Sequence, residues 1–364
     1  MAELPDDLLE EILCRVPATS LRRLRSTCKL WNRLFNDRKF TRKHFHKAPK
    51  EALLLLFKKL GFYSMSFDLH RSPPAKIIGE LNLIVPHRSL DQFWVSQFCH
   101  SYDGLLLCVC VNKTENIMLV VWNPCTGQTK WIKPIDHCKR GYKYALGSYK
   151  DNKSGNKSYK ILSRRDHYTE FEIYEINSNS WRVLDINMDC NLLSFGNVSL
   201  KGKTYWIARD EKETQLGIFL ISFDYTTERF ERLCLPYQYP RYWKMSLSLV
   251  REEKLSLLLQ STDHTLRTEI WVTNKIGDET KVVSWIKISA MDLNPQLVTW
   301  KGLNFLVDGE KKVLVCTPCS IKGQNKVYLA GEDNEVKEEV VGVMVSPFLL
   351  NYVPSLTQIQ QGND

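Results

Sequence analysis

The 364-residue chain has no apolar run near the ~18 residues that a bilayer span requires. Its longest greasy stretch, Ala52 to Phe57, runs straight into Lys58 and Lys59, so no membrane span is expected. With 17 glycines and 14 prolines it falls far short of the roughly 25–30% that marks low-complexity disorder. The 11 cysteines are an odd number with no spacing framework, which fits reduced thiols and excludes a disulfide scaffold. The acidic opening Met1-Ala-Glu-Leu-Pro-Asp-Asp7 lacks the basic and then apolar pattern of a secretory leader. The chain is therefore expected inside the cell, in the nucleus, the cytoplasm or both, and its sequons at Asn112, Asn152, Asn156 and Asn197 read as polar turns.

Motifs that carry chemistry are equally scarce. Cys316-Thr-Pro-Cys319 is a lone C-x-x-C, and Cys108 with Cys110 a lone C-x-C; neither has the second pair or flanking histidines of a zinc site. The eight histidines are scattered, and none belongs to an H-E-x-x-H or nucleophile-elbow pattern. Gly141 and Gly147 bracket a stretch without the Lys-Ser or Lys-Thr of a phosphate loop. No catalytic set, metal or cofactor is expected.

What is present begins with an uneven charge. The net charge is +9, yet residues 1–20 carry −4 and residues 21–50 carry +10, leaving +3 for the rest. A concentrated basic segment suits an acidic protein surface or nucleic acid. Beneath the charge runs a helical pattern: Leu8, Leu9, Ile12, Leu13 and Val16 before Pro17, then Leu21, Leu24, Cys28, Trp31, Leu34 and Phe35 after a Thr19 or Ser20 cap. A short third helix is expected from Asp37, presenting Phe40 with His44 or Phe45. So small a three-helix unit cannot bury its apolar stripes alone, so some must pack on another protein or on the rest of the chain.

Leu4-Pro5, Ile12-Leu13-x-Arg15-Val16-Pro17, Ser20-Leu21 with Arg25, and Cys28-Lys29-x-Trp31 with Leu34 together resemble the F-box. That resemblance implies binding to a Skp-type adaptor, and through it to cullin and RING subunits. It implies contacts from Leu4, Pro5, Leu8, Ile12, Leu13 and Pro17, with Leu21 and Trp31 shared between contact and packing. The rival reading is a nucleic-acid-binding protein that grips phosphates with the basic helices 21–50.

Beyond residue 50 the pattern becomes alternating and β-rich. One turn series sits at Gly61, Asp103-Gly104, Gly155, Lys201-Gly202, Arg251-Glu252-Glu253 and Lys301-Gly302. A second follows strands that end in Asp or Asn, at Phe67-Asp68, Trp122-Asn123, Ile176-Asn177, Phe223-Asp224 and Val272 to Asn274. Two interleaved series with a period near 50 indicate kelch-like propeller blades of four strands. Trp131, Trp181, Phe230 and Trp285 follow the second turns, where they can wedge blade against blade. About six blades are expected, with Val343 to Val353 closing the ring on Ala52 to Phe57; a β-sandwich is the alternative.

Ser101-Tyr102-Asp103-Gly104-Leu105-Leu106, Val121-Trp122-Asn123-Pro124-x-Thr126 and Gly196-Asn197-Val198 with Lys201-Gly202-x-Thr204-Tyr205-Trp206 resemble the plant F-box-associated domain of the first type. In such proteins that domain is taken to receive the target. The expected organisation is a mostly β chain: an F-box at 1–48, a propeller-like recognition domain at 49–356 and a flexible tail at 357–364. The reading is a non-catalytic receptor subunit of an SCF-type cullin–RING ubiquitin ligase. The loop Tyr237-Gln-Tyr239-Pro-Arg241-Tyr242-Trp243 is the candidate target contact, because Tyr, Trp and Arg dominate interface energy.

Overall fold

Runs such as Leu105–Val111, apolar on both faces, suit a strand held between two neighbouring sheets. Six sheets built from such runs form the body of the computed structural model. It describes residues 5–25, 27–49, 53–58, 61–67, 72–83, 93–135, 142–151, 155–165, 170–186, 188–193, 197–210, 217–236, 244–250, 253–261, 267–274, 276, 283–292, 303–308, 313–318, 326–331, 335–340 and 348–359.

The first blade holds Leu53–Lys58, Gly61–Phe67 and Ala75–Leu81, with Phe348–Tyr352 added on its inner edge. The second runs from Trp94–Tyr102 to Thr129–Ile132 and the third from Tyr142–Lys150 to Ser180–Leu184. In the fourth, Cys190–Leu192 and Val198–Leu200 share the inner edge beside Lys203–Asp210, Ile218–Asp224 and Arg229–Leu233. The fifth runs from Lys244–Val250 to Trp285–Asp292 and the sixth from Leu303–Asp308 to Val336–Val340. Each innermost strand adjoins the next, and Phe348–Tyr352 touches the inner strands of both the second and sixth blades. This is a six-bladed propeller, closed where Leu53 to Phe57 pair antiparallel with Tyr352 to Phe348.

The second turn series marks the end of every third strand it touches. The first series is correct at Asp103-Gly104, Gly155 and Lys201-Gly202, where positive φ angles close the first hairpin of blades two to four. Gly61 departs from it: Gly61 opens the third strand of blade one, because that blade takes its innermost strand from the far end of the chain. Antiparallel strands put the Asp103-Gly104, Gly155 and Lys201-Gly202 turns and the second series at one end of the propeller, here termed the near face; Arg251-Glu252 and Lys301-Gly302 lie outside the described residues.

Apolar clusters fill the seams between blades. Leu105, Leu119 and Val121 of blade two meet Leu146, Ile161 and Tyr174 of blade three, and Ile173 with Leu162 meets Trp206 and Phe223 of blade four. The wedge aromatics behave as expected: Trp181 stacks on Tyr174 at 5.0 Å and donates from Nε1 to the Lys133 carbonyl of the preceding blade (3.0 Å). Trp285 does the same to Cys234 (3.0 Å). Gly147 leaves room for the fully buried Tyr225 ring of the next blade, and a Cβ there would come within 2.0 Å of the ring. Gly147→Ala is expected to destabilise the chain by about 1–3 kcal/mol through overpacking, read as a lowered denaturant midpoint.

The N-terminal unit has four helices where three are expected: α1 Asp6–Leu13, α2 Ala18–Leu24, α3 Lys29–Asn36 and α4 Arg38–Lys47. The expected second helix breaks because Cys28 is extended and Thr27 caps the Leu24 carbonyl with its hydroxyl (2.7 Å). The helix after Pro17 starts at Ala18, ahead of Thr19 and Ser20. Asp37 caps α4 as expected, accepting from the Lys39 and Phe40 amides at 2.8 and 2.9 Å.

Candidate functional site

The helix α1 carries two apolar stripes. Leu9 and Leu13 turn inward with Cys14, Ala18, Leu21, Phe35 and Phe40, while Leu8 and Ile12, one turn apart, stay 53% and 52% exposed. Pro5, at the head of the helix, is exposed as well. Of the expected adaptor contacts, Leu13 at 4% and Leu21 at 0% exposure are core residues that hold the unit together. Pro17 and Trp31 are half-buried, Trp31 against the same core, and Leu4 lies outside the described residues. Leu30, on α3, is exposed as far as Leu8.

The inward stripe does not close on itself. Cys125, from the turn after the third strand of blade two, and Leu356, from the C-terminal segment, complete the helical core. Arg25 donates to the Thr126 carbonyl (3.2 Å), Gln358 to the Asn36 carbonyl, and Arg42 to Asn156 Oδ1 (2.9 Å). The helical unit is thus seated on the near face, across blades two and three. The stripes that a small unit cannot bury alone are covered, in part, by the same chain.

Asn123 organises this seat. It is fully buried; its Nδ2 donates to the carbonyls of Ser355 (3.1 Å) and Thr357 (2.6 Å), and its Oδ1 accepts from the Cys125 and Thr126 amides (2.8 and 3.2 Å). Ser355 Oγ in turn donates to the Asp103 carbonyl (2.6 Å), and Gly104, at φ +73, leaves space for the Ser355 side chain and backbone. The motifs around Asp103-Gly104 and Trp122-Asn123 therefore clamp residues 353–359. Ile359 is buried between blades two and three, so the expected loose tail is packed through 359. Val353, Leu356 and Ile359, spaced three apart and all buried, are the signal that could have shown this.

Part of the basic segment is spent inside the unit. Lys43 meets Glu10 (2.9 Å) and Glu11 (3.0 Å), Lys47 meets Glu11 (2.6 Å), and Arg15 meets Glu11 (2.8 Å). The lysines and arginine hold the Glu11 carboxyl down at about 2. The acidic α1 and basic α4 are complementary surfaces of one fold.

His44 is 3% exposed, with Nε2–H donating to the Val16 carbonyl (2.8 Å) and its ring 6.0 Å from Phe40. Burial pushes its imidazole below the ordinary value, against the opposing effect of the hydrogen bond. The unfolded chain takes up a proton there that the folded chain resists. Stability contributed by His44 is therefore full above the ordinary imidazole value near 6.5 and is lost as pH falls below it. Melting curves at pH 8 and 5.5 are expected to show this loss in the parent and a smaller one in His44→Phe.

The thiols of Cys110 and Cys316 are buried, and desolvation raises each to about 12, which leaves them unreactive. Cys319 and the loop Tyr237 to Trp243, with Tyr239, Arg241 and Tyr242, lie outside the described residues.

A helical unit with an apolar outward stripe is thus fixed to one face of a six-bladed propeller. Residues 1–43 match the F-box domain and residues 53–359 the F-box associated beta propeller domain. The chain belongs to the F-box proteins that carry this propeller. A relative from Arabidopsis thaliana named as an F-box protein is 59% identical over 369 residues, spanning 100% of this chain and 99% of the other. An F-box/kelch-repeat protein of the same plant is 44% identical over 382 residues, spanning 99% and 97%.

Proposed function

We propose that the chain is the substrate-receptor subunit of an SCF-type cullin–RING ubiquitin ligase, docking a Skp-type adaptor through α1 and a target protein through the propeller. The observation that carries this reading is the outward pair Leu8 and Ile12, with Pro5, on a helix whose other apolar stripe is already buried. Each such side chain covered by a partner contributes about 1.5–3 kcal/mol. Leu13 and Leu21 lie beneath it, in the core that holds the helices together.

The helical unit covers the near face of blades two and three, and the target is assigned to the surfaces of the propeller that it leaves uncovered. The chain supplies proximity: a bound target lysine is held at high effective concentration beside the charged conjugating enzyme. No residue of this chain is assigned to the chemistry. The test is binding of the full chain to a purified Skp-type adaptor, with retention expected; a folded parent that fails to bind overturns the reading. The nucleic-acid alternative gains little from Lys43 and Lys47, which already face Glu10 and Glu11. It requires duplex binding that falls steeply with salt.

A further inference from the structure

Blades two to five each carry, on the outermost strand, an aromatic that packs toward the preceding blade: Trp131, Trp181, Phe230 and Trp285. Blade one lacks it, and Met65 with Phe67 closes its seam against Leu306 and Val315 of blade six. Blade six lacks it as well, and its seam with blade five keeps exposed aliphatic side chains at the outer rim.

Register fixes which side chains face that seam. Ile270 of blade five packs with Tyr328 and Ala330 of blade six. Val272 leaves its strand on the same side as Ile270, Ile286 is paired with Val272, and Ile288 follows Ile286 by alternation. Across the seam, Ala330 is paired with Val336, Tyr328 with Glu338 and Lys326 with Val340. Ile286, Ile288, Val336 and Val340 are between 37% and 61% exposed. They are four of the eight large apolar side chains of the propeller that stay exposed among the described residues. Apolar surface gathered in one place in this way marks a contact.

Charge selects the occupant. Residues 326–340 carry Glu332, Asp333, Glu335, Glu338 and Glu339 against Lys326 and Lys337, a net −3 in a chain of +9. The two lysines already meet Glu338 (2.6 Å) and Glu335 (3.3 Å). Lys287, the cation of the facing strand, meets Glu269 (2.6 Å) and lies by Trp271, on the side toward blade four. A second copy of the chain set edge to edge here would bring two acidic strands together, whereas a basic strand meets opposite charge.

We propose that the rim between blades five and six binds an extended basic segment of the target polypeptide. The segment pairs with the outer edge of Val336–Val340, sets an aromatic side chain over Ile286, Ile288, Val336 and Val340, and lays lysine or arginine along Glu335, Glu338 and Glu339. The aromatic takes the place that Trp181 and Trp285 fill at other seams. In a ring of six this seam lies opposite blades two and three, clear of the helical unit. The inference rests on the receptor reading above and adds to it the place and chemistry of the target.

The test uses the full chain and fluorescent peptides with degenerate flanks around a fixed Lys-Trp-Lys, Lys-Ala-Lys or Glu-Trp-Glu triplet. The Lys-Trp-Lys set is expected to bind roughly tenfold or more tightly than either other set, and less tightly as salt rises. Ile286→Ser with Val340→Ser is expected to bring it down to the Lys-Ala-Lys level, with adaptor binding and melting temperature unchanged. Equal binding of all three sets, no binding by any, or an unchanged preference in the double variant overturns the proposal. So does a dimer of the parent, seen by sedimentation, that the double variant abolishes. Adaptor binding, measured on the same samples, keeps the two readings apart: peptide failure with adaptor binding intact sinks the rim site alone, and adaptor failure with peptide binding intact sinks the ligase role alone.

Discussion

Leu8→Asp combined with Ile12→Asp is expected to abolish adaptor binding while leaving the fold intact. Both side chains are more than half exposed, so the folded chain loses little when they become charged. The complex would lose the burial of two aliphatic side chains, together about 3–6 kcal/mol, and take on two carboxylates in an apolar contact. That corresponds to at least about a hundredfold in affinity. Titration calorimetry against the adaptor, beside a melting curve, reads both halves of the statement. Leu13→Asp is the contrasting variant: Leu13 is 4% exposed, and its loss should lower the melting temperature first and binding only as a consequence. If Leu8 and Ile12 can both be charged without weakening the complex, the adaptor does not read this stripe.

Asn123→Ala is expected to undo the seat of the F-box. Four hydrogen bonds leave with the amide, two from the turn that presents Cys125 and two to the C-terminal segment that presents Leu356. Buried groups left without partners lose about 1–3 kcal/mol each, and partial relaxation brings the expected total to about 3–5 kcal/mol. The loss should be local before it is global. Hydrogen exchange should accelerate in residues 353–359 and in α2 while the strands of blades four to six keep their protection. Uniform exchange across the chain would show that the seat and the ring unfold together.

The architecture was legible because a propeller repeats itself. The aromatics Trp181 and Trp285 each stand after an Asn-bearing turn, and each does in space what its place in the repeat suggests. Gly61 misled because the repeat is cut in the middle of a blade: a periodic signal carries spacing but no phase. The N-terminal helices were legible from their apolar spacing, yet which of two stripes faced outward was not. Leu8 and Leu9 are alike in sequence, and only the position of Cys125 and Leu356, more than a hundred residues away, sorts them. The clamp on residues 353–359 was hidden for the same reason, since it joins residues that are distant in the chain.

The ring is closed by Phe348–Tyr352, and the helical core is finished by Leu356 a few residues later. On the ribosome the F-box emerges before the propeller, yet it lacks the core side chain of Leu356 until the last strand of the ring has been made. A prematurely terminated product would have both an open propeller and an incomplete adaptor-binding end. On the proposed receptor role, adaptor binding would thereby be coupled to the completeness of the propeller, and shortened chains would be disadvantaged as competitors for the adaptor.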